Sequence, residues 1–387
     1  MLRAHTLATS EVDLPTVAVD EILQQLAGIP LGRSSVGILA CHYDYAECGV
    51  IAALKEALPF PLVGITTFYQ ATPRASGLFE LTITLLTSDD ITFALAGGAS
   101  ADPGTSREVI RDTYTQAYET HGERPSLILS FLSVNLPISG DEYLRQLDAA
   151  SGGVPSYGFV NSGDNESGKN IYVVCDGKPL SQGVAMLLMI GGPRARMYAN
   201  DAPAERLLAL SATVTEADGV VVREINGQPA ATYMRKHSVP LDDRDTGVTS
   251  TVPFYCRIPG DSRFVGRALK NVAADGSLEF MAEIPEGALL RIGAVTAEDI
   301  LEESGRILQR AVAENPDAAL FLIGSCVGRF ITLGLDATLE MDHATKGIPD
   351  GAAYLACYVC GEICPFDNGG RMVNRYYNNS FIVLALS

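Results

Sequence analysis

Several features that often reveal a protein's function are scarce in this sequence. Tryptophan is absent, only 5 of the 387 residues are histidine, and 28 basic side chains stand against 46 acidic ones. The resulting net charge of −18 at pH 7 repels polyanions over most of the surface. It therefore argues against nucleic acid and anionic membrane surfaces as partners.

Long apolar runs and phosphate-binding loops are missing as well. The nearest approach to a membrane span, residues 183–192, is half the length that a bilayer requires, and no secretory signal is visible at the N-terminus. Because no glycine-rich phosphate loop follows a strand, ATP, GTP and dinucleotide chemistry lack support. We expect no membrane insertion, and the 8 scattered cysteines predict a reducing, cytoplasmic setting.

An internal repeat organises the chain, which is 47% hydrophobic and long enough for two domains. Each copy consists of a helix, a strand, a second helix, a second strand and a further strand, with copies beginning near Val19, Glu108 and Ala297. Apolar spacing of period 3.6 predicts the helices, and continuously apolar strands predict sheets covered on both faces. The sequence therefore predicts a mixed α/β fold with helices flanking sheets, divided into domains 1–215 and 216–387.

Three details complete this interpretation. Residues 254–292 resemble half of a fourth unit, so the chain is interpreted as two units plus two units. Ser106 with Glu108 and Thr296 with Asp299 predict helix starts, and the polar stretch 238–250 predicts an exposed loop. The bend of each copy carries a polar residue six positions after a small one, the pairs being Gly64 with Gln70, Gly158 with Asp164, and Ala356 with Glu362.

The densest cysteine cluster is Cys357, Cys360 and Cys364. Its spacing matches the last three ligands of a bacterial ferredoxin run, but Tyr354 stands where the first ligand would be. The equivalent positions of the first copy hold no sulfur. We therefore expect buried hydrophobic cysteines without a metal.

A second cluster follows an apolar strand and contains Ser325, Cys326 and Arg329. The carboxyl ends of strands are where open α/β sheets bind small ligands. Arg329 could clamp a ligand carboxylate or pair with one of the chain's own acids. A nucleophilic Cys326 would need a histidine close by, and the sequence places none beside it.

Several of these segments resemble the FIST (F-box and intracellular signal transduction) family. Residues 322–329, Gly361 with Glu362 and Pro365, and Asn378 look like the C-terminal FIST domain. Residues 225–230 resemble the opening of that domain, and residues 61–67 followed by Gln70 look like the N-terminal FIST domain. The sequence departs from the family pattern at Gln70, where glutamate is usual, and at Tyr377, where many members have histidine.

The resemblance implies a cytoplasmic, non-catalytic sensor of signal transduction that binds a small molecule such as an amino acid or another small anion. Its partner would be a histidine kinase or another signalling protein. In this hypothesis Arg329 pairs with an acidic group of the ligand, and Glu362 accepts from a ligand amine or holds Arg329. The predicted ligand site comprises Ser325, Cys326, Arg329, Gly361, Glu362, Gln70 and Asn378.

Two alternatives remain open at this point. The first is a haem-binding nitric oxide sensor acting on a histidine kinase, since some family members of this size bind haem; the candidate ligands are His42, His237 and His343. The second is a small-molecule hydrolase or transferase that uses Cys326 or Glu362. The leading interpretation needs no catalytic residue, no metal and no cofactor.

Overall fold

A computed structural model describes residues 2–163, 170–200, 206–208, 212–239, 241 and 252–387. The helices of this part are α1 (Pro15–Leu26), α2 (Asp44–Glu47), α3 (Val50–Ala57), α4 (Pro103–Glu119), α5 (Gly140–Ser151), α6 (Ala230–Lys236), α7 (Ala297–Glu314), α8 (Val327–Thr332) and α9 (Ala337–Thr345). In the described part of the chain, none of them is long and apolar enough to cross a membrane.

Three six-stranded sheets have the same topology, and their equivalent strands are given below in the same order. Sheet I runs β1 (Arg3–Thr9), β6 (Leu81–Ser88), β2 (Ser34–Cys41), β3 (Leu62–Thr66), β10 (Val173–Cys175), β11 (Lys178–Leu180). Sheet II runs β7 (Thr92–Ala99), β12 (Gly183–Ile190), β8 (Leu127–Leu132), β9 (Ser156–Val160), β24 (Gly361–Asp367), β25 (Met372–Tyr377). Sheet III runs β13 (Ala195–Ala199), β26 (Phe381–Leu386), β22 (Leu320–Cys326), β23 (Ala353–Val359), β4 (Gln70–Ala71), β5 (Ser76–Gly77).

The pairing directions are also the same in all three sheets. The third and fourth strands of each order are parallel, and every other pair is antiparallel. The last two strands form a hairpin that comes from a different part of the chain. We name the repeats unit I (3–88), unit II (92–190) and unit III (195–386). Unit II supplies the hairpin of sheet I, unit III that of sheet II, and unit I that of sheet III, which links the units in a ring.

Sheet IV is antiparallel and is inserted in unit III between β13 and α7. Its order is β18 (Val265–Arg267), β17 (Phe254–Arg257), β21 (Leu289–Ile292), β14 (Ala212–Asp218), β15 (Val221–Ile225), β20 (Leu278–Phe280), β19 (Leu269–Val272), with β16 (Gln228–Pro229) paired to β15. The mixed α/β prediction with helices flanking sheets is confirmed. The count of two plus two units is wrong, because residues 254–292 pair with strands of residues 212–229 in this separate sheet, and the described residues contain three repeated units.

The three sheets enclose one shared core and are covered by helices on their other faces. Val36 of β2, Leu129 of β8 and Leu322 of β22 all belong to the shared cluster. Leu39, the alternate residue of β2, packs instead with Ile22 of α1. Because successive strand residues face opposite sides, burial on both faces requires continuously apolar strands. This arrangement explains the apolar pattern on which the sheet prediction rested.

Two of the three small residues at the bends are required by close backbone contact. A Cβ atom on Gly64 would lie 1.8 Å from the carbonyl oxygen of Leu39, and one on Gly158 would lie 2.0 Å from that of Ser130. In unit III the position is Ala356, so this copy leaves room for a methyl group. The small-residue pattern therefore marks the parallel strand pair of each unit.

Two of the three polar residues selected after the bends, Gln70 and Glu362, occupy equivalent places in the structure. Gln70 pairs with Cys357, and Glu362 pairs with Phe159, at equivalent places in sheets III and II. In sheet I the equivalent position is held by Val173, which pairs with Ile65. Asp164, which the spacing rule selected, lies outside the described residues, as does most of the predicted loop 238–250.

The helix-start predictions had mixed outcomes. Thr296 and Asp299 form a reciprocal capping box at the start of α7, as predicted. The start assigned to Ser106 is wrong, because α4 begins at Pro103. There the side chain of Asp102 accepts from the backbone N–H groups of Gly104 and Thr105.

Candidate functional site

The predicted strand-end cluster lies where β22 ends and α8 begins. β22 stops at Cys326, and the next residue opens α8, which places Arg329 in the first turn of a short helix. The Arg329 side chain is only 4% exposed because α7 and α9 pack over it. Its surroundings therefore decide whether it can bind a ligand.

Arg329 is held by two carboxylates of its own unit. Its Nε and Nη2 donate to Oε1 of Glu340 at 3.0 and 2.8 Å, and its Nη1 donates to Oε2 of Glu303 at 2.7 Å. Nη2 also donates to the carbonyl of Ile300 at 3.1 Å. Glu340 is fully buried and accepts a further hydrogen bond of 2.6 Å from Ser325. A guanidinium has five N–H donors, so these bonds leave one Nη1 N–H for another partner.

These contacts define the charge state of the cluster. Burial alone would lower the pKa of Arg329, but the carboxylates of Glu340 and Glu303 outweigh it and raise the pKa. Arg329 is therefore a compensated charge and not an isolated cation. The expected contact between Glu362 and Arg329 is replaced by those of Glu340 and Glu303, both of which the sequence interpretation missed.

Glu362 lies behind this cluster and is fully buried. Its Oε2 accepts from the hydroxyl and the backbone N–H of Ser380, and the Cys326 thiol lies near its carboxyl. Burial raises the pKa of Glu362 to about 8, although these hydrogen bonds act in the opposite direction. At neutral pH the Glu362 carboxyl is therefore protonated in most molecules.

The other predicted site residues occupy separate places. Gly361 packs against the ring of Tyr376. The side chain of Gln70 donates to the carbonyl of Glu80, and Gln70 lies on β4 of sheet III, two strands from β22. Asn378, between β25 and β26, accepts from the backbone N–H of Ala268 and so links this segment to sheet IV. The structure therefore brings Ser325, Cys326, Arg329 and Glu362 together in one neighbourhood, while Gln70 occupies in sheet III the place that Glu362 occupies in sheet II.

A pocket of about 300 Å³ opens beside Arg329, between α7, α8 and sheet IV. Pro253 and Tyr255 form the wall on the side of sheet IV, and Asn379 and Gly328 lie on the opposite side. Three arginines and three acids line it: Arg206, Arg306, Arg329, Asp299, Glu302 and Glu303. Arg206 pairs with Asp299, whereas Arg306 and Glu302 are exposed and form no ion pair with any described residue.

Sequence reasoning missed most of this lining for an identifiable reason. Tyr255 and Arg206 reach the pocket from segments that are distant in the chain, so no local sequence pattern predicts that they line it. Arg306 and Glu302 belong to the polar face of α7, which is indistinguishable in sequence from any solvated helix face. The only local signal was the strand end that contains Arg329.

The alternative chemistries find little support in this geometry. Burial raises the pKa of Cys326 well above its usual range, which disfavours the thiolate that a nucleophile needs. No histidine is among the described residues that line the pocket, and His42 instead contacts Asp44 at 3.2 Å. The described residues also contain no group of three or more His, Cys, Asp or Glu side chains that could hold a metal ion.

Comparison with solved structures gives distant similarity over the full chain. A crystal structure of cyanuric acid hydrolase from A. caulinodans matches with 8% identity and a TM-score of 0.41, covering 100% of this chain and 99% of the other. A second cyanuric acid hydrolase structure, described as an evolutionary innovation by structural concatenation, matches with 9% identity and a TM-score of 0.35, covering 100% of both chains. No curated protein sequence matches.

Two family models match this chain. The FIST N domain matches residues 35–228, and the FIST C domain matches residues 229–365. Together they cover most of the chain in the order that the sequence motifs suggested, and FIST domains are sensor modules of signal transduction. The chain therefore belongs to the FIST family, with an N and a C domain in tandem.

Proposed function

We propose that this protein is a non-catalytic sensor, that its ligand site is the pocket between α7, α8 and sheet IV, and that the ligand is a small zwitterion of the amino-acid type. The observation that carries the proposal is the charge balance of the pocket. Three arginines offset three acids there, in a molecule whose net charge is −18. A lining of both signs complements a ligand of both signs better than it complements a simple anion.

Two charged residues that have no ion-pair partner among the described residues would bind the charged groups of the ligand. Arg306 and Glu302 are four residues apart on α7 and face the pocket without an ion-pair partner among the described residues. Arg306 would bind the ligand carboxylate, and Glu302 would accept from its ammonium group. Arg329 would contribute its remaining N–H, while its charge stays committed to Glu340 and Glu303.

The position of the pocket supports a sensor role. Its two walls come from different parts of unit III, the α7–α8 side and the inserted sheet IV. A ligand that contacts both walls shifts the equilibrium toward the arrangement in which they are correctly spaced. Output would pass to a signalling partner such as a histidine kinase, and the 8 free cysteines favour a reducing, cytoplasmic compartment.

A thermal-shift screen with the standard amino acids, simple carboxylates and haem tests the proposal. A ligand at 100 times its Kd stabilises the native state by about 2.7 kcal/mol, which is easily measured. We expect an amino acid to raise the Tm of the wild type and of Arg111→Ala, a surface control on α4. Arg306→Ala and Glu302→Ala should lose that shift. Retention of the shift in both pocket variants, or a shift with haem alone, would contradict the proposal.

A further inference from the structure

The outer edge of β7, the edge strand at which sheet II begins, lies in a groove of about 380 Å³. One wall of the groove is the C-terminal part of α4, which contributes Gln116, and the other is the β10–β11 hairpin with Lys178. Phe93, Leu95 and Gly97 of β7 lie along it. The groove is separate from the ligand pocket described above.

Unit I shows how the same edge is closed elsewhere in this molecule. The registers of β1 and β7 place Gly97 where β1 has Ala8. In unit I the side chain of Gln25, from α1, covers this position: its Oε1 accepts from the Ala8 N–H at 3.0 Å, and its Nε2 donates to the Ala8 carbonyl at 2.6 Å. Arg74 donates to the same Gln25 oxygen at 3.4 Å. A side-chain amide thus takes the place of a further strand.

Unit II has no such cover within the described residues. The N–H of Phe93 donates to the hydroxyl of Ser34 at 3.1 Å, so the N–H and C=O groups of Phe93 point away from β12. Because the backbone N–H and C=O groups of successive residues alternate in direction along a strand, those of Leu95 and Gly97 also point away from β12. Neither these backbone groups nor the amide of Gln116 has a hydrogen-bond partner on this side among the described residues.

The sequence of β7 is also unusual for an exposed edge. Edge strands normally carry charges or proline that prevent pairing with another chain. The equivalent edges follow this rule, since β1 contains Arg3 and β13 contains Arg196. Residues 92–99 contain no charged residue and no proline. An open, uncharged edge inside a groove is the arrangement that domains use when they bind a partner by strand addition.

We propose that the β7 edge binds an extended segment of a partner protein, which adds to sheet II opposite Leu95 and Gly97 and places an acidic side chain near Lys178. The charge at the groove favours this partner. Asp176 is already paired with Lys55 at 2.7 Å, whereas Lys178 is exposed and unpaired among the described residues. The groove walls suit one extended chain, because a folded surface would meet α4 and the hairpin before it reached the edge.

Hydrogen exchange with a synthetic peptide tests the proposal. The probe is a short acetylated peptide of alternating valine and threonine with one aspartate, and its control carries N-methyl groups on alternate residues, which removes the backbone donors. We expect the probe to protect the amides of Leu95 and Gly97 at least tenfold, and the control to protect neither. Absence of protection by the probe, or equal protection by the N-methylated peptide, would overturn the proposal.

A charge-swap variant supplies an independent readout on an exposed residue that folding does not require. Lys178→Glu should weaken binding of the aspartate peptide about two- to fivefold, as expected for a surface ion pair, and a lysine peptide should recover it. Unchanged affinities for both peptides would contradict the assigned role of Lys178. If the same amides become protected without peptide as protein concentration rises, the occupant is a second copy of this chain and the partner-segment proposal fails.

Discussion

Arg329 and Glu340 form an ion pair inside unit III, with Nη2 2.8 Å from Oε1 and side chains only 4% and 0% exposed. The pair joins α8 to α9, and Ser325 extends it to the end of β22. An arginine that the sequence suggested as a ligand anchor is thus first of all a structural link beneath the pocket.

Glu340→Gln should lower the free energy of unfolding by about 3–5 kcal/mol, because it leaves part of a buried guanidinium charge uncompensated. Urea denaturation measures the change. Glu56→Gln, which removes the same charge from an exposed position on α3, should stay within about 0.5 kcal/mol of the wild type. A loss below about 1 kcal/mol for Glu340→Gln would show that solvent, and not Glu340, balances Arg329.

Glu362 should make stability depend on pH in a defined direction. Its pKa is raised from 4.5 to about 8 in the native state, so the folded protein keeps a proton that the unfolded chain loses between these values. The free energy of unfolding contributed by Glu362 is therefore full below pH 4.5 and falls by about 1.4 kcal/mol per pH unit up to about pH 8.

Glu362→Gln isolates this contribution, since glutamine cannot ionise and Gln70 already fills the equivalent place in another unit. We expect the stability of the variant relative to the wild type to increase steadily as the pH rises from 5 to 8. Urea unfolding at several pH values measures it. A difference that does not change with pH would mean that Glu362 titrates alike in the folded and unfolded states.

Cys326 should react slowly with alkylating agents. Its thiol is buried and its pKa is raised, whereas Cys48 is exposed. Mass spectrometry after timed iodoacetamide treatment of the native protein should find Cys48 modified first and Cys326 only on unfolding. Rapid labelling of Cys326 in the native state would instead support the hydrolase or transferase alternative.

Gly64→Ala should destabilise the protein by about 3 kcal/mol or more, because the new Cβ would lie 1.8 Å from the Leu39 carbonyl oxygen and overpack a parallel strand pair. Gly347→Ala is the matched control, since the nearest atom to its Cβ would be 3.8 Å away. Chemical denaturation compares the two variants. Similar stabilities would mean that the strands separate at little cost.

The sequence was most informative where local chemistry decides the structure. The helix α7 begins at Ala297, where the sequence analysis places the start of the third copy, because apolar spacing and the cap at Thr296 decide that start locally. The exchange of hairpins between units was not predictable, since it depends on pairing between strands that are far apart in the chain. The sequence of a single apolar strand does not predict which sheet the strand will join.

The same distinction explains the site. Strand-end position identified Ser325, Cys326 and Arg329 as neighbours, and the structure confirms that they are. Their actual partners, Glu340 and Glu303, come from two other helices and could have been any of the chain's 46 acids. Long-range contacts of this kind leave no local pattern, so the pocket beside Arg329 became visible only with the fold.

The central claim, that the pocket of Arg306 and Glu302 recognises a zwitterion, is tested most directly by isothermal titration calorimetry. The amino acid selected by the thermal-shift screen is compared with two analogues, one without its amino group and one without its carboxyl group. We predict that both analogues bind the wild type at least tenfold more weakly than the amino acid, and that Arg306→Ala no longer distinguishes the amino acid from the analogue without a carboxyl group. Equal affinity of the wild type for all three compounds would contradict the claim.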